Sequence, residues 1–112
     1  MRWERSKNMK KIECYLRDGA VESLLDALSE TGINGVTVFP VHGFGRQRGK
    51  GGRLIPKVKV EILALETELE EVLKTVTRFS RRGEYGDGKI AIIELFDAIR
   101  IRTGETGAKA LI

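Results

Sequence analysis

Three short stretches of this sequence carry residue types that bind anions. The first, Gly43 to Leu54, reads GFGRQRGKGGRL: five glycines and four cations (Arg46, Arg48, Lys50, Arg53) with no acidic residue. Glycines let backbone N–H groups approach a phosphate, and cations add charge. The spacing is not a dinucleotide fingerprint, because the glycines fall as GxGxxxG and no helical pattern follows. It is not a Walker A loop either: Gly45 to Gly51 reads GxxxGKG, one residue short and without the Ser or Thr that would bind magnesium. Taken alone, the stretch also reads as a solvated hairpin connection.

The second stretch is GDGK, Gly86 to Lys89, just ahead of a strand pattern. Two glycines around Asp87 would expose N–H groups to a phosphate, with Lys89 as the point charge; the plainer reading is a tight turn. The third is RIR. At alternate positions of an extended segment, Arg100 and Arg102 would point the same way and form a fork for phosphate oxygens, unless they simply end a strand in solvent. Three anion-friendly elements in one small domain suggest a shared site, yet sequence physics does not bring them side by side.

No nucleophile and base pair up elsewhere. His42 is the single histidine and reads as a surface residue at a strand end. Cys14, the single cysteine, falls on the apolar face of a strand and reads as an inert core thiol. One Cys and one His cannot close a zinc site within a chain. The chain reads as a binder rather than an enzyme.

The elements that must position these stretches follow from periodicity. Lys11 to Arg17 alternates, with Ile12, Cys14 and Leu16 on one face, which predicts a half-buried strand. Asp18 is a candidate N-cap for a helix carrying Val21, Leu24, Leu25 and Leu28, with Gly32 placed to end it. Gly35 to Gly43 predicts a second strand, and Pro40 within it predicts an edge or bulge. Pro56 to Leu65 is the clearest strand, with Val58, Val60, Ile62 and Ala64 on one face. Thr67 to Glu70, TELE, predicts a capping box opening a helix on Leu69, Val72, Leu73 and Val76. A loop from Arg81 to Gly88 and a fourth strand, Lys89 to Phe96, complete the pattern.

The order β-α-β-β-α-β predicts an α+β, ferredoxin-like sandwich: a four-stranded antiparallel sheet with both helices on one face. The other face carries Lys11, Glu13, Lys59 and Glu61 among apolar residues, and either meets solvent or packs against further copies. A length of 112 residues suits one domain. The net charge of +4 is local: six cations and no acids from Gly43 to Val60, then four acids from Glu66 to Glu71, where carboxylates favour a helix N-terminus. No apolar run approaches the roughly 20 residues that span a bilayer. The N-terminal MRWERSKNM lacks the apolar middle of a signal peptide. The lone cysteine fits a reducing cytoplasm, and export is not expected.

Taken together, GFGRQRG, PKVKVEI, YGDGKIAI and IRIRTGE resemble the PII signal-transduction family, in the right order from Lys10 to about Glu105. MKKI at Met9 is similar to the family's usual start. The resemblance therefore divides the chain into an N-terminal extension (1–8), expected to be disordered, a PII-like domain (9–105) and a short tail (106–112). It implies a cytoplasmic homotrimer that senses ATP or ADP in clefts between subunits and regulates a partner protein in nitrogen or carbon metabolism. By position it implies nucleotide contacts at Thr37, Gly45, Arg46, Gln47, Leu63, Gly86, Asp87, Gly88, Lys89, Arg100 and Arg102. Magnesium would enter with ATP at Gln47. Gln47 and Lys57 would hold 2-oxoglutarate. An amide oxygen ligates magnesium and a lysine pairs with a carboxylate, so the chemistry fits.

Two departures stand out. Family members carry a long T-loop with a modifiable Tyr or Ser before the PKVK strand. Here only KGGRLI, Lys50 to Ile55, separates Gly49 from Pro56, with no Tyr, Ser or Thr. That segment reaches about 20 Å fully stretched. The family's lysine-proline after the first strand is replaced by RDG, Arg17 to Gly19. The alternative from another class is a nucleic-acid-binding ferredoxin-like module using the basic Gly43–Lys59 segment, for which Tyr15 would be the stacking aromatic.

Overall fold

Alternation in the first strand decides the architecture. In the computed structural model, which describes residues 8–33, 35–44 and 53–112, that strand is β1 (Met9–Arg17), and it lies inside the sheet. It pairs antiparallel with β3 (Ile55–Leu65) on one side and β4 (Lys89–Glu94) on the other. β2 (Val36–Gly43) pairs antiparallel with β3, giving the order β2-β3-β1-β4. The helices α1 (Val21–Ser29) and α2 (Glu66–Ser80) cover one face. The result is the ferredoxin-like βαββαβ sandwich expected from the sequence. Pro40 sits on β2, an edge strand, where its missing donor is tolerated.

The even-numbered positions of β1 and β3 build the core. Ile12, Cys14 and Leu16 pack with Val60, Ile62 and Ala64, against Leu24 and Leu28 of α1 and Val72 and Val76 of α2. Each fully buried Leu or Ile contributes about 1.5–3 kcal/mol. Register then fixes the opposite parity on the open face: Lys11, Glu13, Tyr15 and Arg17 stand beside Leu63, Glu61, Lys59 and Lys57.

Two caps differ from expectation. Asp18 does not cap α1. The chain leaves β1 through a 3-10 turn, Asp18–Ala20, which moves the helix start to Val21 and makes Ala20 the N-cap. α2 begins at Glu66, ahead of the expected Thr67, because β3 runs straight into it. Glu68 accepts the Leu65 N–H at 2.9 Å, and Asn8 O accepts the Glu66 N–H at 2.6 Å. Only the glutamate half of a capping box exists, since a leucine side chain has no acceptor. Gly32 follows α1 with φ +88°, as a helix-ending glycine should. Residues 106–112, read as a tail, fold back: Thr106 bridges Ile99, and Gly107–Leu111 forms a 3-10 turn. Among the described residues, no helix is long and apolar enough to cross a membrane.

Ile62 is fully buried at the centre of this core. Ile62→Ala should cost about 2–5 kcal/mol in urea denaturation. Burial also pushes the Cys14 thiol up to about 11, so a thiol reagent should modify it only as fast as the core opens.

Candidate functional site

Parity places the candidate binding residues of the sheet on its open face. Lys57 and Leu63 of β3, Thr37 of β2 and Lys89 of β4 all belong to it by register. They do not form one group. Lys57 pairs with Val41 and Arg17 at one end, whereas Thr37 pairs with Glu61 and Leu63 with Lys11 toward the other. From Lys57 to Leu63 the strand climbs about 20 Å.

At the first end lies a cavity of about 650 Å³. Its walls are Gly86, Asp87 and Gly88 from the loop before β4, Lys89, Lys57 and Tyr15 from the sheet, and Val41 to Phe44 at the end of β2. The GRQ segment continues from that strand end, but Gly45, Arg46 and Gln47 lie outside the described residues.

The Arg82–Gly88 loop is built around a carboxylate. Asp87 Oδ2 accepts the backbone N–H groups of Arg82, Gly83 and Glu84 at 2.8, 2.8 and 3.2 Å, and Oδ1 accepts from Arg17 Nη2 at 3.2 Å. The Arg82 N–H, with those of Glu84 and Gly83 and the Arg17 guanidinium, holds the Asp87 carboxyl down at about 2, against an opposing cost of desolvation. The loop's own anion nest at residues 82–84 is thus filled by its own aspartate. Arg17 Nη2 also donates to Tyr85 O at 2.9 Å, and Lys57 Nζ to Gly86 O at 3.5 Å.

Gly88 welds this loop to β1. Its φ is +103°, and a Cβ there would lie 1.8 Å from Tyr15 O. No side chain fits. Gly86 also has a positive φ, +97°.

The second cavity, about 660 Å³, holds Thr37, Leu63 and Arg100, with Lys11, Glu61, Ala110 and Leu111. The expected parallel fork of Arg100 and Arg102 is not formed. The segment is not extended: Gly104 N donates to Arg100 O at 2.7 Å, and Arg100 N to Glu105 O at 2.9 Å, closing a tight turn. Arg100 turns into that hairpin, 3.2 Å from Glu105 Oε1, and donates to the carbonyls of Ala110 and Ile112. Arg102 stays exposed at the turn and is not among the residues that line either cavity.

Across the middle of the open face, four charges alternate between β1 and β3, with Lys11 and Glu61 also reaching the wall of the second cavity. Lys11 Nζ lies 3.0 Å from Glu13 and 3.4 Å from Glu61; Lys59 Nζ lies 2.9 Å from Glu61 and 3.7 Å from Glu13. These contacts raise both lysines and lower both glutamates. Lys59 Nζ also stands 5.8 Å from the Tyr15 ring and 5.7 Å from the Phe39 ring. Phe39 therefore joins Tyr15 as an open-face aromatic, with a lysine between the two.

Sequence reasoning missed Arg17 and Tyr85 as parts of the site. Parity could have found Arg17, which ends the open-face series Lys11, Glu13, Tyr15. Nothing local marks Tyr85, because its role rests on a carbonyl that any residue offers.

The family model described as "Nitrogen regulatory protein P-II" matches residues 9–105. Nitrogen regulatory protein P-II of Rhizobium meliloti is 38% identical over 112 residues, covering 92% of this chain and all of that protein. The structure of the B. subtilis GlnK-ATP complex is 36% identical with a TM-score of 0.84, over 95% of this chain and 98% of that one. Arabidopsis thaliana PII bound to citrate is 39% identical with a TM-score of 0.82, over 94% of each chain.

Two outcomes follow from the loop. Gly88→Ala should destabilise the protein by at least about 1–3 kcal/mol and clearly more than Gly83→Ala, where φ is +76° but no atom lies within 4 Å of the added Cβ. The Asp87 carboxyl should titrate near 2 in a carbon-detected NMR experiment, against an ordinary value of 3.8. Its folded value is depressed, so its contribution is present above the ordinary value and is lost as pH falls toward 2.

Proposed function

The chain belongs to the nitrogen regulatory protein P-II family, and from that premise we propose that it is a cytoplasmic homotrimer that senses ATP and ADP and regulates a partner protein. One observation carries the reading: Gly86, Gly88 and Lys89 share a cavity with Lys57 at the strand end from which the GRQ segment departs. Glycine N–H groups and two ammonium groups suit a polyphosphate. Similarity to a GlnK solved with ATP supports the ligand class.

Separation of the candidate residues supports a shared site. Thr37, Leu63 and Arg100 lie at the other end of the open face from the phosphate loop. One chain supplies two half-sites, and a ring of copies would join the phosphate half of one to the other half of its neighbour. Asp87 serves this site by shaping the loop. Arg100 and Arg102 would complete it from the adjacent copy.

Magnesium would be held by the nucleotide's phosphates together with the Gln47 amide oxygen, and 2-oxoglutarate by that metal and Lys57. The short Lys50–Ile55 connection has no hydroxyl to modify. The regulated partner, whether transporter, enzyme or transcription factor, would therefore read the nucleotide state from a compact surface rather than a long loop.

Calorimetry with ATP and with ADP tests the reading, and no heat at millimolar ligand would sink it. Lys89→Ala and Arg102→Ala should each weaken ATP binding by about tenfold, the scale of one charge-assisted hydrogen bond, with unchanged thermal unfolding. Trimers reassembled from the two variants mixed should regain some tight sites, because one kind of cleft then pairs an intact Lys89 half with an intact Arg102 half. 2-Oxoglutarate should bind only with Mg-ATP present.

A further inference from the structure

Several contacts shape this loop and hold it to the body of the domain, and they do different jobs. Asp87 gathers the N–H groups of residues 82–84 and fixes the loop's internal shape. Gly88 lies against Tyr15 O and fixes where the loop enters β4. Neither sets the peptide plane between Tyr85 and Gly86. That plane is addressed by Arg17, whose Nη2 donates to Tyr85 O at 2.9 Å and to Asp87 Oδ1 at 3.2 Å across 68 and 70 residues of sequence.

We infer that Arg17 is a positioning residue for nucleotide binding: by holding Tyr85 O it aims the Gly86 N–H as a preset phosphate donor. The inference rests on the nucleotide-sensing reading above. In a trans peptide the carbonyl and the following N–H point in opposite directions. A Tyr85 carbonyl held by the guanidinium therefore turns the Gly86 N–H away from it. Gly86, at φ +97°, belongs to the residue type that populates either hand of φ readily. Asp87 N donates to Glu84 O at 3.2 Å and closes a turn around that peptide, but both orientations of a turn's central peptide keep this bond, so without a tether on the carbonyl the plane can flip and present an oxygen to the incoming phosphate. Lys57 stands beside Arg17 in the sheet and reaches the next carbonyl, Gly86 O, at the longer distance of 3.5 Å.

Stability alone does not account for Arg17. Its Nε is buried with no hydrogen-bond partner, an arrangement that costs folding free energy. A cation held at that cost, with Nη2 spent on the loop, fits a residue kept for what it does to Gly86. The same carboxylate that Arg17 meets already takes three backbone donors, so the loop does not need Arg17 to close.

The test uses the full chain and the probe ATP. Arg17→Leu should lower ATP affinity by about tenfold, move the Gly86 amide resonance in the ligand-free protein, and leave the Asp87-bonded amides of Arg82 to Glu84 and the thermal midpoint nearly unchanged. Arg17→Lys should recover part of the affinity. Unchanged affinity, or a loss that simply tracks general unfolding, overturns the proposal. If the wild-type protein binds no ATP, the nucleotide reading fails by itself; an unmoved Gly86 resonance in Arg17→Leu would then separately remove the tether.

Discussion

At Gly88 the loop backbone passes so close to the Tyr15 carbonyl that a single methyl group would lie 1.8 Å from the oxygen. Much of the binding end depends on that approach. It brings the GDG loop down onto β1 as β4 starts, so that Lys89 pairs with Tyr15 and Ile90 enters register beside Cys14. It also brings Asp87 within reach of Arg17. A wider approach would detach the loop from the sheet end where Lys57 and the β2 terminus stand. The positive φ and the lack of space act together, so glycine is the one residue that meets both demands.

The sheet divides its labour by parity. One face is spent on helices and yields a core of aliphatic side chains. The other keeps charge, and its mid-section is an alternating patch of two lysines and two glutamates rather than a hydrophobic surface. Such partly exposed pairs add little to stability in water. Two cavities of similar size lie toward opposite ends of this face, and Lys11 and Glu61 of the patch reach the wall of one of them. Lys57 and Lys89 line the cavity at one end; Lys11 and Arg100 line the one at the other.

Most of the fold was legible because strand alternation is a strong signal and the two central strands, β1 and β3, are buried on one side only. β1 and β3 follow their patterns residue by residue, and Pro40 correctly marked an edge. The caps were less legible. Asp18 and TELE have the right composition, but the chain had already committed to a 3-10 turn and to a strand running into α2, and tertiary partners such as Asn8 O met the orphan donors instead. At the candidate site, the residues were named but their grouping was not, since spacing along a chain says little about which end of a sheet a residue reaches. The expected extended, parallel geometry of Arg100 and Arg102 failed for a local reason: Gly104 at φ +75° closes a turn that a reading of alternate positions treats as straight.

Asp87 looks at first like a poor choice in a loop proposed to bind phosphate, being an anion at the place proposed for one. Its bonds resolve the conflict. Three N–H groups and a guanidinium already surround the carboxylate, so its charge is neutralised locally rather than projected into the cavity. The loop thereby gains rigidity from charge-assisted bonds while the lysines flanking the cavity keep the positive field. A rigid donor array costs less to organise when ligand arrives, and that is where binding free energy is most easily lost. Replacing the aspartate by a neutral residue would raise the local positive charge and still weaken the site, because orientation of the N–H groups counts for more there than one added unit of attraction screened by water.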